Sequence, residues 1–263
     1  MSRNFELLQN IGKEQEFFQQ ENVLAEPTPA AYPSPIAETV NAPLAPAEPS
    51  QFATEGSQLA ELTKLVQRVF LLPGSESHRT VVFASSETGN GCSWICARVG
   101  ELLASQVTGS VCLVDANLNS PTLHEQFGVP NHHGLSNALR QSGSMRGYIS
   151  QLSRRNLALV SCGSELKDAA SLVATDRMRM RMNELRAEFD YVLIDGSSLS
   201  VSNDAISLGA TADGVVLVLK ANATKKETAR VAVNELKNAN VRVLGAVLNQ
   251  RTYPIPDNIY KKL

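Results

Sequence analysis

The sequence lacks any apolar run of the length that a membrane span requires. A helix that crosses a bilayer needs roughly 18 or more consecutive apolar residues, and no stretch of this chain reaches that length. Residues 1–6 also lack the basic-then-apolar pattern of a secretory signal. We therefore expect a soluble, cytoplasmic protein without direct membrane insertion, which reaches the inner face of the membrane only through a partner.

An excess of charge of either sign is also missing. The formal net charge is −2, so there is no global basic field, and we expect no nucleic-acid partner. The charge is uneven, because residues 1–55 carry eight acidic and two basic residues, a net of −6, which leaves +4 for the remainder. That remainder mildly favours an anionic ligand.

Cysteines are few, and none of them forms a Cys-x-x-Cys pair. A structural zinc site of the usual spacing is therefore not predicted. Cys92 and Cys96 stand four residues apart, so a metal site on one helix face is an alternative. We favour the other interpretation, in which all four cysteines are small buried apolar side chains in a reducing compartment.

The first part of the chain differs in composition from the rest. Residues 1–24 are predicted to form a short helix, because Phe5, Leu8, Ile11 and Phe18 fall near one helical face. Residues 25–56 contain seven of the twelve prolines, which predicts a disordered Pro/Ala-rich linker. A domain over 57–263 follows. It begins with a predicted helix, which ends at Pro73 and Gly74.

Short apolar runs alternate with helical periods through that domain. The runs are nearly free of polar residues, as is typical of parallel strands covered on both faces. The alternation predicts an α/β fold with a doubly wound, mostly parallel sheet and helices on both faces. Strands are predicted at 80–85, 111–115, 156–161, 191–195, 214–220 and 242–248, and helices at 92–107, 171–188 and 224–239.

Arginine and methionine alternate over residues 177–182. We interpret this run as part of a helix with solvated arginines. The alternative is a basic face that binds a partner.

A glycine-rich turn joins the first predicted strand to the following helix. Such a turn exposes backbone N–H groups at a helix N-terminus, where anions bind, and its glycines allow close approach to a phosphate chain. The turn is therefore a candidate nucleotide-binding loop, although a tight packing turn has the same pattern. Its candidate ligands are Gly89, Asn90, Gly91, Cys92 and Ser93.

Two aspartates end apolar strands. Asp115 follows 111–114 and Asp195 follows 191–194, so both carboxylates are expected at the sheet edge where α/β proteins bind ligands. Together with Ser93 they are candidates to hold Mg²⁺, and they are also the candidate catalytic residues. The alternative is that each aspartate only caps a loop.

With the loop and both aspartates in this order, residues 57–263 resemble the bacterial tyrosine kinases (BY-kinases) of capsule and exopolysaccharide synthesis, a family of P-loop NTPases. The matches are Ser85-Ser86 of the loop, residues 115–121 (Asp-Ala-Asn-Leu-Asn-Ser-Pro), residues 195–198 (Asp-Gly-Ser-Ser), and the later pieces 204–205, 212–215 and 247–249. The resemblance implies ATP or ADP with Mg²⁺ as cofactors and a role for Asn249 at the adenine. It also implies homo-oligomers and tyrosine phosphoacceptors in the tail, Tyr253 and Tyr260, which could instead be packing anchors.

The departures from the family pattern fall on charged positions. The family has lysine, aspartate and arginine where this chain has Cys92, Asn117 and Asn119. Glu87 stands where the related partition ATPases carry a second lysine. The Walker motifs are thus degenerate.

Our leading hypothesis is a pseudokinase that regulates or scaffolds exopolysaccharide or capsule synthesis and export. It would bind the cytosolic end of a membrane chain-length protein, or an active kinase. The alternative is an active ATP-dependent protein-tyrosine autokinase, and a second alternative is a partition-type ATPase.

Overall fold

The computed structural model describes residues 56–71, 78–164 and 173–251. The predicted helix over 1–24, most of the linker, and both candidate phosphoacceptors, Tyr253 and Tyr260, lie outside these residues. The helix that opens the domain is present as α1, Gly56–Val66, and it continues through a π-helical turn at Gln67–Leu71.

A seven-stranded sheet forms the centre of the described residues. Its order is β3-β4-β2-β5-β1-β6-β7, and every neighbouring pair is parallel except β3 and β4. The predicted mostly parallel, doubly wound sheet is confirmed. The strands are β1 Thr80–Ser85, β2 Val111–Asp115, β3 Ile149–Gln151, β4 Leu157–Val160, β5 Tyr191–Asp195, β6 Gly214–Lys220 and β7 Val243–Asn249.

Helices cover both faces of this sheet because the side chains of each inner strand are apolar on both sides. One core joins α1 and α2 to the face that carries Phe83, Leu113 and Val216. The other core packs α4, α5 and α6 on the face that carries Val82 and Val114. Besides α1, the helices are α2 Cys92–Gln106, α3 Leu123–Phe127, α4 Leu135–Arg140, α5 Asp176–Glu188, α6 Asp204–Gly209 and α7 Lys226–Asn238, with a 3₁₀ turn at Met145–Tyr148.

The sequence pattern missed the short elements. Strand β3 has three residues, none of them buried, so it shows no apolar run. Helices α3, α4 and α6 are five or six residues long, too short for a helical period to stand out.

The interpretation of the 177–182 arginines as solvated is wrong for Arg181, whereas Arg177 and Arg179 are exposed. Arg181 is only 6% exposed, and its guanidinium donates to the backbone carbonyls of Ala138 (3.1 Å), Gln141 (2.8 Å) and Gly143, and to Glu184 (2.8 Å). Nη1 of Arg177 donates to the carbonyls of Leu139 and Arg140 at 2.9 and 3.0 Å. Arg181 and the exposed Arg177 therefore both donate to the free carbonyls at the C-terminal end of α4, and Arg179 pairs with Asp176 in solvent.

Candidate nucleotide site

The glycine-rich turn connects β1 to α2 at the carboxyl edge of the sheet. Gly89 and Gly91 have φ angles of 78° and 79°, in the left-handed region that glycine adopts without strain. A side chain at position 91 would also collide with the amide of Asn249. The turn therefore has the backbone of a phosphate-binding loop. Glycine is required at position 91 both by its left-handed φ angle and by the close approach of Asn249.

Two asparagine side-chain amides stabilise this turn by hydrogen bonds. Asn90 is buried, and its Nδ2 donates to Ser86 Oγ at 3.1 Å and to the carbonyl of Val218 at 3.3 Å. Asn249, at the end of β7, donates from Nδ2 to the carbonyl of Asn90 at 2.9 Å. The amide that the family resemblance assigns to the adenine thus contacts the loop backbone.

Cys92 occupies the position where the family resemblance leads one to expect lysine. It is 9% exposed and packs in the apolar cluster with Ile95 and Cys96. Burial raises the pKa of its thiol, and the neighbouring Asp195 carboxylate raises it further, so the thiol stays protonated and neutral. The residue supplies no positive charge to the loop.

Ser93 and Trp94 follow in the first turn of α2, and both are half-buried. The Ser93 hydroxyl interacts with the carboxylate of Asp195 and lowers its pKa, which is the arrangement expected if both share one ion. Trp94 packs against the apolar cluster beneath the helix.

Asp115 and Asp195 end β2 and β5, and their Cα atoms are partners across the two strands. Both side chains are fully buried. Asp115 accepts backbone N–H groups from Asn117 (3.3 Å), Thr122 (3.2 Å) and Leu123 (3.0 Å). The oxygens of Asp195 have no hydrogen-bond partner of normal geometry among the described residues. The two carboxylates therefore lie beside each other at the carboxyl edge of the sheet.

Burial dominates the ionisation of this pair. It raises the pKa of Asp115 to about 7, although the three backbone N–H groups oppose the shift. Burial also raises the pKa of Asp195, and the charge of Asp115 adds to the effect. Two adjacent buried carboxylates attract either a proton or a cation.

Carboxylate and hydroxyl oxygens are ligands that Mg²⁺ accepts, so Asp115, Asp195 and Ser93 fit that ion chemically. Within the ranges that the structure describes, no three His, Cys, Asp or Glu side chains form a metal cluster of their own. All four cysteines are free and buried, which confirms that they are small apolar side chains and counts against a Cys92–Cys96 metal site.

Residues 115–121 make neutral contacts at the positions where the family resemblance leads one to expect charged side chains. The Asn117 side chain accepts the N–H of Ser120 at 3.3 Å. Asn119 donates from Nδ2 to Ser197 Oγ at 3.3 Å and so links residues 115–121 to residues 195–198. The sequence did not predict this link, nor the roles of Ser86 and Val218 in the loop, because all depend on long-range contacts.

The structure and the comparisons together define the class of protein. Over the described residues, no helix is long and apolar enough to cross a membrane. A strand, a glycine turn and a helix, followed by acidic strand ends in a parallel sheet of this order, define a P-loop α/β protein. Among solved structures, the chimerical protein CapA2B2 has the same fold, with a TM-score of 0.70 and 20% identity over 76% of this chain and 87% of that one.

No protein-family model matches the chain. It is 31% identical over 171 residues to the tyrosine-protein kinase YwqD of Bacillus subtilis (strain 168), across 65% of this chain and 72% of YwqD. The chain belongs to the bacterial tyrosine-kinase family. It is also 29% identical over 183 residues to the succinoglycan biosynthesis transport protein ExoP of Rhizobium meliloti (strain 1021), which is 68% of this chain but 23% of ExoP.

Proposed function

We propose that this chain is a degenerate tyrosine kinase that regulates or scaffolds exopolysaccharide or capsule synthesis and export. The observation that carries the proposal is the burial of a neutral thiol, Cys92, at the lysine position of the loop, directly beside Asp195. The loop keeps the backbone shape of a phosphate site and lacks its cation.

The missing cation has a large effect on phosphate binding. A unit charge about 4 Å from a phosphate contributes roughly 4 kcal/mol at an effective dielectric of 20. Its loss weakens nucleotide binding by about two to three powers of ten. When Asp115 and Asp195 are ionised, they repel phosphate as well, unless Mg²⁺ held by them and Ser93 neutralises the charge.

Calorimetric titration with ADP and Mg²⁺ tests this proposal. We expect a dissociation constant of about 0.1 mM or weaker, since the missing charge weakens a micromolar site by about two to three powers of ten. Micromolar binding would contradict the degenerate site. A second measurement is incubation of the purified protein alone with ATP and Mg²⁺, from which we expect no phosphotyrosine.

An active autokinase is the second candidate function. Asp115 and Asp195 are both present on neighbouring strands, and Ser93 interacts with Asp195. Phosphate on Tyr253 or Tyr260 after incubation with ATP alone would establish this candidate in place of the first. A partition-type ATPase is disfavoured, because Glu87 places an exposed carboxylate in the loop.

The partner that we propose is the cytosolic end of a membrane chain-length protein, or an active kinase, at the inner face of the membrane. ExoP, a relative with a transport role in its name, is much longer than this chain, which matches less than a quarter of it. The test is binding of the purified chain to the cytosolic segments of the chain-length protein from the same organism. Absence of binding to these segments and to the active kinase would contradict the scaffold role.

A further inference from the structure

One side of the molecule carries arginines with no acidic residue between them in the sequence. Residues 126–164, which form α4, the 3₁₀ turn, β3 and β4, contain four arginines and two histidines but no aspartate or glutamate. A solvated protein surface normally mixes charges of both signs. Positive charge is therefore concentrated around β3, the last strand on this side of the sheet in the part of the chain that the structure describes.

Five exposed arginines form this surface, which we call the basic strip. They are Arg140, Arg146, Arg154, Arg155 and Arg177. Arg177, in the first turn of α5, donates to the backbone carbonyl of Arg140 at 3.0 Å. Arg146 has a side chain that is 77% exposed, and it pairs with Glu188 at the other end of α5, at 3.1 Å. The basic strip thus follows the length of α5 along the side of the sheet.

The turn before β4 holds the last two arginines of the basic strip. Nε2 of Gln151 donates to the carbonyls of Arg155 at 2.7 Å and of Leu157 at 3.0 Å. Nδ2 of Asn156 donates to three carbonyls at and just beyond the C-terminal end of α2. Neither Arg154 nor Arg155 forms an ion pair within the described residues. The backbone is therefore fixed beneath two guanidinium groups that no described carboxylate neutralises, which lowers the ordering cost of binding an anion there.

We propose that the basic strip binds an acidic segment of a partner protein. All five cations are arginines, and a guanidinium binds a carboxylate through two parallel hydrogen bonds. A second copy of the chain is disfavoured as the occupant, because two basic strips repel each other. An anionic membrane is disfavoured as well. Stable binding to lipid needs an apolar anchor besides charge, and no large apolar side chain of residues 126–164 is among the exposed ones.

Side-chain carboxylates, rather than backbone pairing, carry this binding. Strand β3 has only three residues, Ile149–Gln151, and the N–H of Ile149 already donates to the carbonyl of Arg146. Few backbone groups remain on β3 for an added strand. The chemistry that selects the partner is therefore its negative charge.

The inference goes beyond the proposed function, because neither a nucleotide nor the chain-length protein takes part in it. Fluorescence anisotropy of a labelled peptide of about ten glutamates tests it, with the full chain as the binder in salt of about 0.15 M. We expect saturable binding. It should weaken at least about tenfold when Arg154→Glu and Arg155→Glu are combined, because two attractions become repulsions.

The matched control combines Lys225→Glu and Lys226→Glu, which change the net charge by the same amount. Both lysines are exposed at the start of α7, which covers β6 and not β3, so we expect the affinity for the peptide to stay unchanged. All five altered side chains' surroundings are solvent, and equal midpoints of thermal unfolding would verify that both double variants are folded.

The remaining outcomes overturn the inference. Equal weakening in the two double variants would mean that the peptide responds to net charge and not to the basic strip, and a lack of saturable binding would mean that the basic strip is only solvated. Binding to vesicles of phosphatidylserine and phosphatidylcholine, lost in the arginine double variant and without binding to the peptide, would assign the surface to the membrane. The proposed function stands or falls separately, since calorimetry with ADP and Mg²⁺ measures a different site.

Discussion

Asp115 and Asp195 are direct partners across the neighbouring strands β2 and β5, and both are fully buried. Three backbone N–H groups hold Asp115, whereas the oxygens of Asp195 find no such partner among the described residues. In the absence of a nearby lysine from the loop, the pair is stabilised most simply by a proton. This relationship makes the stability of the fold depend on pH.

The first prediction concerns that dependence. Burial raises the pKa of Asp115 to about 7 and raises that of Asp195, so the folded state holds protons that the unfolded state releases above about pH 4. The free energy of unfolding therefore falls as the pH rises from about 4 to 7, with a slope of up to about 1.4 kcal/mol per pH unit for each proton. Urea unfolding measured across this range provides the test.

Asp195→Asn is expected to flatten that slope and to stabilise the protein above pH 7, because it removes a buried carboxylate whose ionised form has no hydrogen-bond partner of normal geometry among the described residues. Asp176→Asn changes a carboxylate that is 87% exposed and serves as the control, with no expected effect on the slope. A slope that is unchanged in Asp195→Asn would contradict the role of the pair.

The second prediction concerns the loop cation. Cys92→Lys places an ammonium group in a loop whose Gly89 and Gly91 keep the left-handed backbone, so the affinity for ADP–Mg²⁺ is expected to rise at least about tenfold. Asn117→Asp, added to it, is expected to strengthen metal-dependent binding further, since a second carboxylate joins Asp115. Calorimetry gives both numbers, and Cys92→Ala is the uncharged control.

Trp94 is the residue most able to block this gain, because it stands in the first turn of α2 and packs against the cluster beneath it. If Cys92→Lys folds and binds no nucleotide, even together with Trp94→Thr, the loop is structural only. That result would leave the scaffold role untouched and would rule out a site disabled by charge alone.

The third prediction concerns the hydrogen bonds that the side chains of Asn90 and Asn249 make within the loop. Asn90→Ala leaves the buried carbonyl of Val218 and the Ser86 hydroxyl without the Asn90 amide, and it is expected to lower the free energy of unfolding by about 1–3 kcal/mol. Asn249→Ala removes one bond at a half-buried side chain, and we expect a smaller loss of about 0.5–1.5 kcal/mol. An unchanged free energy of unfolding in Asn90→Ala would show that the loop does not depend on the Asn90 amide.

The fourth prediction separates two arginines of α5. Arg181→Ala removes the donor to the carbonyls of Ala138 and Gln141 at the end of α4. We therefore expect a loss of about 2–4 kcal/mol in the free energy of unfolding. Arg179→Ala is the matched control on the same helix, because its side chain is 64% exposed and its ion pair with the exposed Asp176 is worth at most about 1 kcal/mol. Similar losses in the two variants would contradict the capping role of Arg181.

Only part of the candidate site could be predicted from the sequence. Gly89, Gly91, Asp115 and Asp195 could be placed because each stands next to an apolar strand, and the ends of parallel strands meet at one edge of the sheet. The contacts of Asn90 could not be placed in the same way. Its partner Val218 lies 128 residues along the chain, and nothing in the local sequence of either residue refers to the other.

The sheet follows from the sequence, since apolar runs such as 215–219 are typical of parallel strands covered on both faces, and so does the lack of a charged side chain at position 92 of the loop. Tertiary structure alone decided what the remaining polar side chains do. Arg181 was expected in solvent and is buried, and the Asn249 amide binds the loop across a separation of 159 residues. The physical reason is that a periodic pattern records which face a side chain takes, whereas a hydrogen bond depends on which distant carbonyl the fold brings within about 3 Å.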